Sequence, residues 1–205
     1  IEKKSDRVRM KVISRIAPPI FANKINVSYV YSIYNSGEIV LETEGKIEGE
    51  FPDLPRIGLR MEIPGKMDYV NWYGRGPGEA YIDSKEANPV GAYAARVDGL
   101  HTEYLFPQEN GNLHDVRHVS FTNSQGTGFR VQGMPLLDFC AHNYTPEDLE
   151  NAKHINELVK RDFITLNLDY KQCGLGSGSC GPRTFEQYRI NEKEFKFTLA
   201  FIPEL

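Results

Sequence analysis

The stretch Arg56-Ile57-Gly58-Leu59-Arg60-Met61-Glu62-Ile63 decides the fold class. Ile57, Leu59, Met61 and Ile63 fall on one side, and Arg56, Gly58, Arg60 and Glu62 on the other. Successive strand side chains point to opposite faces, so this alternation marks a strand with one buried face and one wet face. Working outward, the pattern recurs at Ile25, Val27, Tyr29, Tyr31 and Ile33, and again at Ile39, Leu41 and Thr43. Asn35-Ser36-Gly37 supplies turn residues between those two segments, which predicts a hairpin. Ile164, Leu166, Leu168 and Tyr170 repeat the alternation, as do Phe195, Phe197, Leu199 and Phe201. Half-wet strands of this kind are antiparallel candidates.

Helix signals are few. The best is Thr145-Pro146-Glu147-Asp148-Leu149-Glu150, where Thr145 can cap, Pro146 suits the first turn and two acids favour the positive end of the dipole. One or two turns are expected there. Gly and Pro cluster at 52–55, 74–78 and 174–182, which read as ordered loops. With no internal repeat and no linker, residues 1–205 are expected to form one all-β domain of two packed sheets.

Composition narrows the function. Two hundred and five residues bury a sizeable core without staples. Twenty-four basic against 28 acidic residues leave a formal charge of −4, the wrong sign for a nucleic-acid backbone binder. No apolar run approaches the roughly 20 residues of a membrane span, and no signal peptide is visible. Cys140, Cys173 and Cys180 are an odd set, so at least one thiol is free; this favours a reducing compartment such as the cytoplasm. The chain begins at Ile1 rather than Met, as a fragment or a processed product would.

Several local patterns invite chemistry and most decline it. His114 and His118 stand four apart, which suits zinc on a helix, but Val116, Val119 and Phe121 around them predict a strand that separates the two. Gly176-Ser177-Gly178-Ser179-Cys180-Gly181 matches GxGxxG, yet Pro182 follows where a dinucleotide site needs a helix. Cys180 as a nucleophile would need a positioned base and a lowered pKa, and a small side chain lining a surface is the better reading. Glu109, in Pro107-Gln108-Glu109-Asn110-Gly111, is equally readable as an acceptor for sugar hydroxyls or as a turn residue in a salt bridge. Glycoside hydrolysis usually takes two flanking carboxylates, and no pair is marked out by spacing.

The most distinctive stretches are Asn71-Trp72-Tyr73-Gly74-Arg75-Gly76-Pro77-Gly78-Glu79-Ala80-Tyr81-Ile82-Asp83 and Glu103-Tyr104-Leu105-Phe106-Pro107-Gln108-Glu109-Asn110-Gly111, followed by Asp115-Val116-Arg117. Tyr144 to Leu149, Lys153-His154, Leu168-Asp169-Tyr170 and Gly174 to Pro182 come after them in order. Together, from about Ile25 to the C-terminus, they resemble the C-terminal small-chain domain of family 2 β-galactosidases of the large multidomain type.

The resemblance implies a mostly antiparallel, galactose-mutarotase-like β-supersandwich with at most short helices. It implies a parent enzyme that hydrolyses terminal β-D-galactosides such as lactose with retention. Its catalytic glutamates, and the magnesium and sodium ions common in that family, would lie in a TIM barrel that these residues do not contain. The chain also looks shorter than the family's domain, lacking its N-terminal part. No cofactor is expected in the fragment. The expected partners are the rest of the β-galactosidase chain, the galactoside and further copies in a homo-oligomer; nucleic acid and membrane are not expected. In the family the glycine-rich loop reaches over the barrel mouth, often with a tryptophan in the acceptor subsite. Cys180 matches that position, with Ser179 and Gly178 beside it. Glu109 and Arg117 are the remaining candidates for substrate contact. Two alternatives stay open: a separately encoded small subunit, and a free-standing sugar-binding or mutarotase-like protein using Glu109, His101 and His114.

Overall fold

The computed structural model describes residues 1–20, 22–176 and 181–205. Among the described residues eleven strands run in chain order: β1 (Glu2–Lys3), β2 (Arg7–Ile16), β3 (Lys24–Tyr34), β4 (Ile39–Glu48), β5 (Arg56–Pro64), β6 (Tyr69–Arg75), β7 (Val90–Arg96), β8 (Leu113–Thr122), β9 (Gly128–His142), β10 (Phe163–Gln172) and β11 (Glu194–Glu204). All pair antiparallel. Every alternating segment named above is a strand, and Ile33 pairs Ile39 across the expected hairpin.

The two packed layers are not separate sheets. They join at β9 into one eleven-stranded sheet. The first half of β9, Gly128 to Met134, pairs β11; the second half, Asp138 to His142, pairs β10. Pro135 falls between the halves and has no N–H for a ladder. Gly133 allows the bend there, because a Cβ on it would meet the Pro135 carbonyl oxygen at 2.8 Å. From this fork one branch runs β11-β4-β3-β2-β1 and the other β10-β5, while β8, β6 and β7 continue from the opposite edge of β9.

The branches face one another, with Tyr170 of β10 stacked on Phe197 of β11 at 5.5 Å. Between them lie Ile57, Ile164, Leu166, Leu168, Val131 and Leu199, all buried. Each such side chain contributes roughly 1.5–3 kcal/mol relative to exposure. Trp72 is core, as its place in a strand pattern implies. It packs on Tyr93 at 5.4 Å and edge-on to Phe139 at 6.0 Å, and its indole N–H donates to the Arg75 carbonyl at 2.9 Å.

The α-helix α1 (Pro146–Asn151) starts as expected. Thr145 Oγ1 accepts from the Asp148 N–H at 3.1 Å, and Asp148 Oδ2 accepts from the Thr145 N–H at 2.9 Å, a reciprocal capping box. Arg161 grips the same carboxylate at 2.6 and 2.9 Å and holds it low, to about 2.

Candidate functional site

The distinctive motifs, far apart in sequence, meet in the loops between strands. Strand β6 ends at Arg75 and releases the loop carrying Glu79 and Asp83; a second loop, 101–112, leads into β8. Glu79 locks the two together. Its Oε1 accepts from the Tyr104 phenol and its Oε2 from the Gly111 N–H at 2.9 Å. That carboxylate pushes the Tyr104 phenol up to about 12. Alongside, the Ala80 N–H donates to the Asn112 carbonyl at 2.7 Å, and the Asn112 side chain donates back to the Ala80 carbonyl at 2.9 Å. Gly111 sits at φ 71°, where a Cβ would lie 2.3 Å from the Leu100 carbonyl oxygen.

Asn110 organises the turn expected at Pro107–Gly111. Its Oδ1 accepts from the Thr102 N–H at 2.8 Å and its Nδ2 donates to the Gln108 carbonyl at 3.0 Å. Its own carbonyl oxygen accepts from His142 Nε2 at 2.8 Å and from the Cys140 thiol at 3.4 Å. Burial pushes that thiol up to about 12, so Cys140 is inert. Glu109, half exposed, reaches Arg56 Nη1 at 3.1 Å. The same guanidinium holds Asp169 Oδ2 at 2.8 Å.

Asp169 stands directly across from Asp138 on the neighbouring strand, and both are buried. Burial raises Asp169 to about 7 despite Arg56, and raises Asp138 despite His114, whose Nδ1 lies 2.7 Å from Asp138 Oδ1. Asp115, at φ 53° in an irregular stretch of β8, collects Arg75 at 3.0 Å and Lys85 at 3.4 Å. Burial opposes its charge, but Arg75, His114 and Lys85 outweigh burial and hold its carboxyl below the usual range.

The sequence candidates separate in space. Glu109 pairs with Arg56. Arg117, on β8, donates to the Asp115 carbonyl oxygen at 2.5 Å and lies over the Tyr73 ring at 5.6 Å. No ion pair joins Glu109 to Arg117. His114 and His118 both lie on β8, a strand as expected, and no group of three or more metal-type side chains is arranged to hold an ion among the described residues. Gly178, Ser179 and Cys180 lie outside the described residues. The start of their loop is anchored: the Gly176 N–H donates to Asp83 Oδ2 at 2.7 Å and the Gly174 N–H to the Tyr188 carbonyl at 2.8 Å. Sequence reasoning singled out neither Glu79 nor Asp83 for a role. Their motif was conspicuous, but no spacing rule connects them to Tyr104, Gly111 or Gly176.

The arrangement stiffens three loops around residues 79–83 and leaves Leu105, Phe106, Leu175 and Phe185 exposed on them or beside them. The model of the family described as beta galactosidase small chain matches residues 1–201. The chain belongs to that family. The match begins at residue 1, ahead of the Ile25 from which the motifs are readable. Beta-galactosidases similar to this small-chain domain include those of Priestia megaterium, 37% identical over 82% of this chain, and Actinobacillus pleuropneumoniae, 36% over 84%. That of Kluyveromyces lactis is 32% identical over 93% of the chain. The chain spans only 16%, 17% and 19% of those three proteins. Among solved structures, a putative aldose 1-epimerase of Escherichia coli K12 superposes with a TM-score of 0.51 at 10% identity, over all of this chain and 67% of that one. The likeness is one of fold, and it agrees with the mutarotase-like sandwich expected from the resemblance.

Proposed function

We propose that this small-chain domain is the C-terminal, non-catalytic part of a retaining β-galactosidase that hydrolyses terminal β-D-galactosides such as lactose. One observation carries the reading: the family match runs through residues 1–201, yet the chain spans about a sixth of the β-galactosidases it resembles. The loops support it. Glu79, Glu109, Asp115 and Asp169 are each held by a phenol, an amide, a guanidinium or an ammonium group. Asp138 and Asp169 are buried out of reach of a sugar. Carboxylates so engaged position loops rather than attack a glycosidic carbon. The barrel of the remaining polypeptide would supply the acid/base, the nucleophile and the metal ions.

In this reading the loop anchored by Asp83 reaches the sugar cleft, with Cys180, Ser179 and Gly178 lining the acceptor subsite. Glu109 and Arg117 are secondary contacts. The assembled enzyme is a homo-oligomer working in the cytoplasm. The test uses a chromogenic β-galactoside with the isolated chain and with the assembled enzyme. Turnover by the assembled enzyme and none by the chain is expected. Turnover by the chain alone at about 1 per second or faster would reject the non-catalytic role. Cys180→Trp in the assembled enzyme should change the ratio of transfer to hydrolysis more than the cleavage of an activated aryl galactoside.

A further inference from the structure

Asp138 of β9 and Asp169 of β10 stand directly across from one another, and opposed residues of an antiparallel pair share a face. Both are buried, at 4% and 1% exposure. Their neutralising partners differ. Arg56 Nη2 holds Asp169 Oδ2 at 2.8 Å, and Glu109 shares that guanidinium. Among the described residues no lysine or arginine pairs with Asp138. It faces His114 of β8, whose Nδ1 lies 2.7 Å from its Oδ1, and Asp115 beyond, which takes up Arg75 and Lys85 itself. Cys140, on the same face, stays a neutral thiol because burial pushes it up to about 12. Two buried anions opposed in this way are costly, and one proton removes the cost.

The hydrogen bonds say where that proton sits. Asp138 Oδ2 and Asn112 Oδ1 are both buried, and neither has a donor. The Asn112 side chain lies within hydrogen-bond reach of the Asp138 carboxyl. Its only donor group, Nδ2, is spent on the Ala80 carbonyl at 2.9 Å. Turning the amide over would set its oxygen against that carbonyl, so Oδ1 is left to face Asp138. Two acceptors therefore meet with no hydrogen between them. A single proton on Asp138 Oδ2 satisfies both, while Arg56 supports the charge on Asp169.

We propose that Asp138 is a neutral acid in the folded protein, donating from Oδ2 to Asn112 Oδ1, and that this proton is a pH-sensitive latch on the loop of residues 76–84. The latch works through the clasp between Ala80 and Asn112. The Ala80 N–H donates to the Asn112 carbonyl at 2.7 Å, and Asn112 Nδ2 closes the clasp from the other side. Once Asp138 ionises, its carboxylate needs a donor and Nδ2 is the one within reach. The amide turns, the Ala80 carbonyl loses its partner, and half the clasp opens. The loop so released carries Asp83, which anchors Gly176. Burial raises both carboxyls, with Asp115 adding to the effect on Asp138 and Asp138 to that on Asp169, which reaches about 7. Facing carboxyls titrate as one unit, and this one keeps its last proton until pH passes about 7. That value is above the ordinary 3.8, so the stabilisation belongs to the acid side and is lost as pH rises through 7.

The test is made on the full polypeptide that carries these residues, as parent, Asp138→Asn and Asp138→Ala. Infrared difference spectra between pH 6 and pH 8 read the C=O band of a protonated aspartic acid, identified by its shift on carboxyl-13C aspartate labelling. The band should be present at pH 6 in the parent, gone at pH 8, and absent from Asp138→Asn at both. Hydrogen exchange read by mass spectrometry follows the peptide of residues 79–84. From pH 6 to pH 8 its exchange should quicken about tenfold beyond the intrinsic rise in the parent, the effect of one lost buried hydrogen bond. Asp138→Asn carries an N–H in place of the acid's O–H and should stay slow at both pH values. Asp138→Ala has no donor and should be fast at both. A band that survives in Asp138→Asn would put the proton on Asp169. No band in the parent at pH 6, or an Asp138→Asn chain that fails to fold, would mean a carboxylate paired with a His114 cation. An Asp138→Asn peptide that quickens as the parent does would remove the latch. Each of these results overturns the proposal.

Discussion

The Nδ1 atoms of His101 and His142 lie 3.3 Å apart, and hydrogen bonding allows only one of them a proton. His142 Nε2 faces the Asn110 carbonyl oxygen at 2.8 Å and must donate, so its Nδ1 accepts from the Nδ1–H of His101. The pair fastens loop 101–112 to the end of β9. Burial lowers the pKa of both rings, and His142 also disfavours charge on His101. Asp98, Glu103, Glu109 and Glu79 oppose that lowering, while Lys160 and Arg56 add to it.

A pH dependence follows from the sign. Below the ordinary histidine value of 6.5 the unfolded chain takes up protons that the folded pair refuses. Stability from this contact is therefore full above pH 6.5 and declines as pH falls towards the lowered folded values. Each group contributes at most about 1.4 kcal/mol per pH unit. His101→Gln keeps a side-chain N–H for His142 and removes one titration. Thermal unfolding at pH 7 and pH 5 should show a smaller drop for His101→Gln than for the parent chain; an equal drop rejects the latch.

Asp169 acts in the opposite direction, because its folded pKa is raised to about 7. Between its ordinary 3.8 and that value the folded state holds the extra proton, so its contribution is lost as pH rises through 7. Asp169→Asn should remove that trend while leaving the histidine trend in place. Stability against pH, measured for each single variant and for the double variant, should show the two effects adding.

Arg56 is shared by buried Asp169 and half-exposed Glu109. At pH 8, where Asp169 is ionised, Arg56→Met should cost about 3–5 kcal/mol, since it strands a buried carboxylate. Arg56→Met with Asp169→Leu should recover most of that loss. Urea unfolding that shows the two substitutions simply adding would contradict the pairing.

Glu79→Gln should lower the Tyr104 phenol from about 12 towards its ordinary 10, because the carboxylate that penalises the phenolate is gone. Difference absorbance titration against the parent reads this directly. Glu79→Ala should also cost about 1.5–3 kcal/mol through the lost charge-assisted hydrogen bonds.

Gly111→Ala should destabilise the chain by about 1 kcal/mol or more, since the left-handed backbone and the Leu100 carbonyl both exclude a Cβ. The reverse test is Gly126, also at positive φ but with open space around it. Gly126→Ala should cost less than Gly111→Ala in the same denaturation series.

Local information was enough for the strands, the β3–β4 hairpin, the Thr145 cap and the burial of Trp72. Each depends on a side-chain period or on a bond spanning three residues, and both are written in adjacent positions. The motifs of residues 71–83 and 103–111 were equally plain as text and identified the family. Their contacts were not readable. Glu79 meets Tyr104 across 25 residues, Asp83 meets Gly176 across 93 and Arg56 meets Asp169 across 113. The alternation also predicted two packed sheets, and only the tertiary structure joined them, by sending the two halves of β9 to different partners. A strand's period states which side chains are buried and says nothing of which strand covers them. That choice is made when distant segments close on one another, and here it set the fork and the tethered loops.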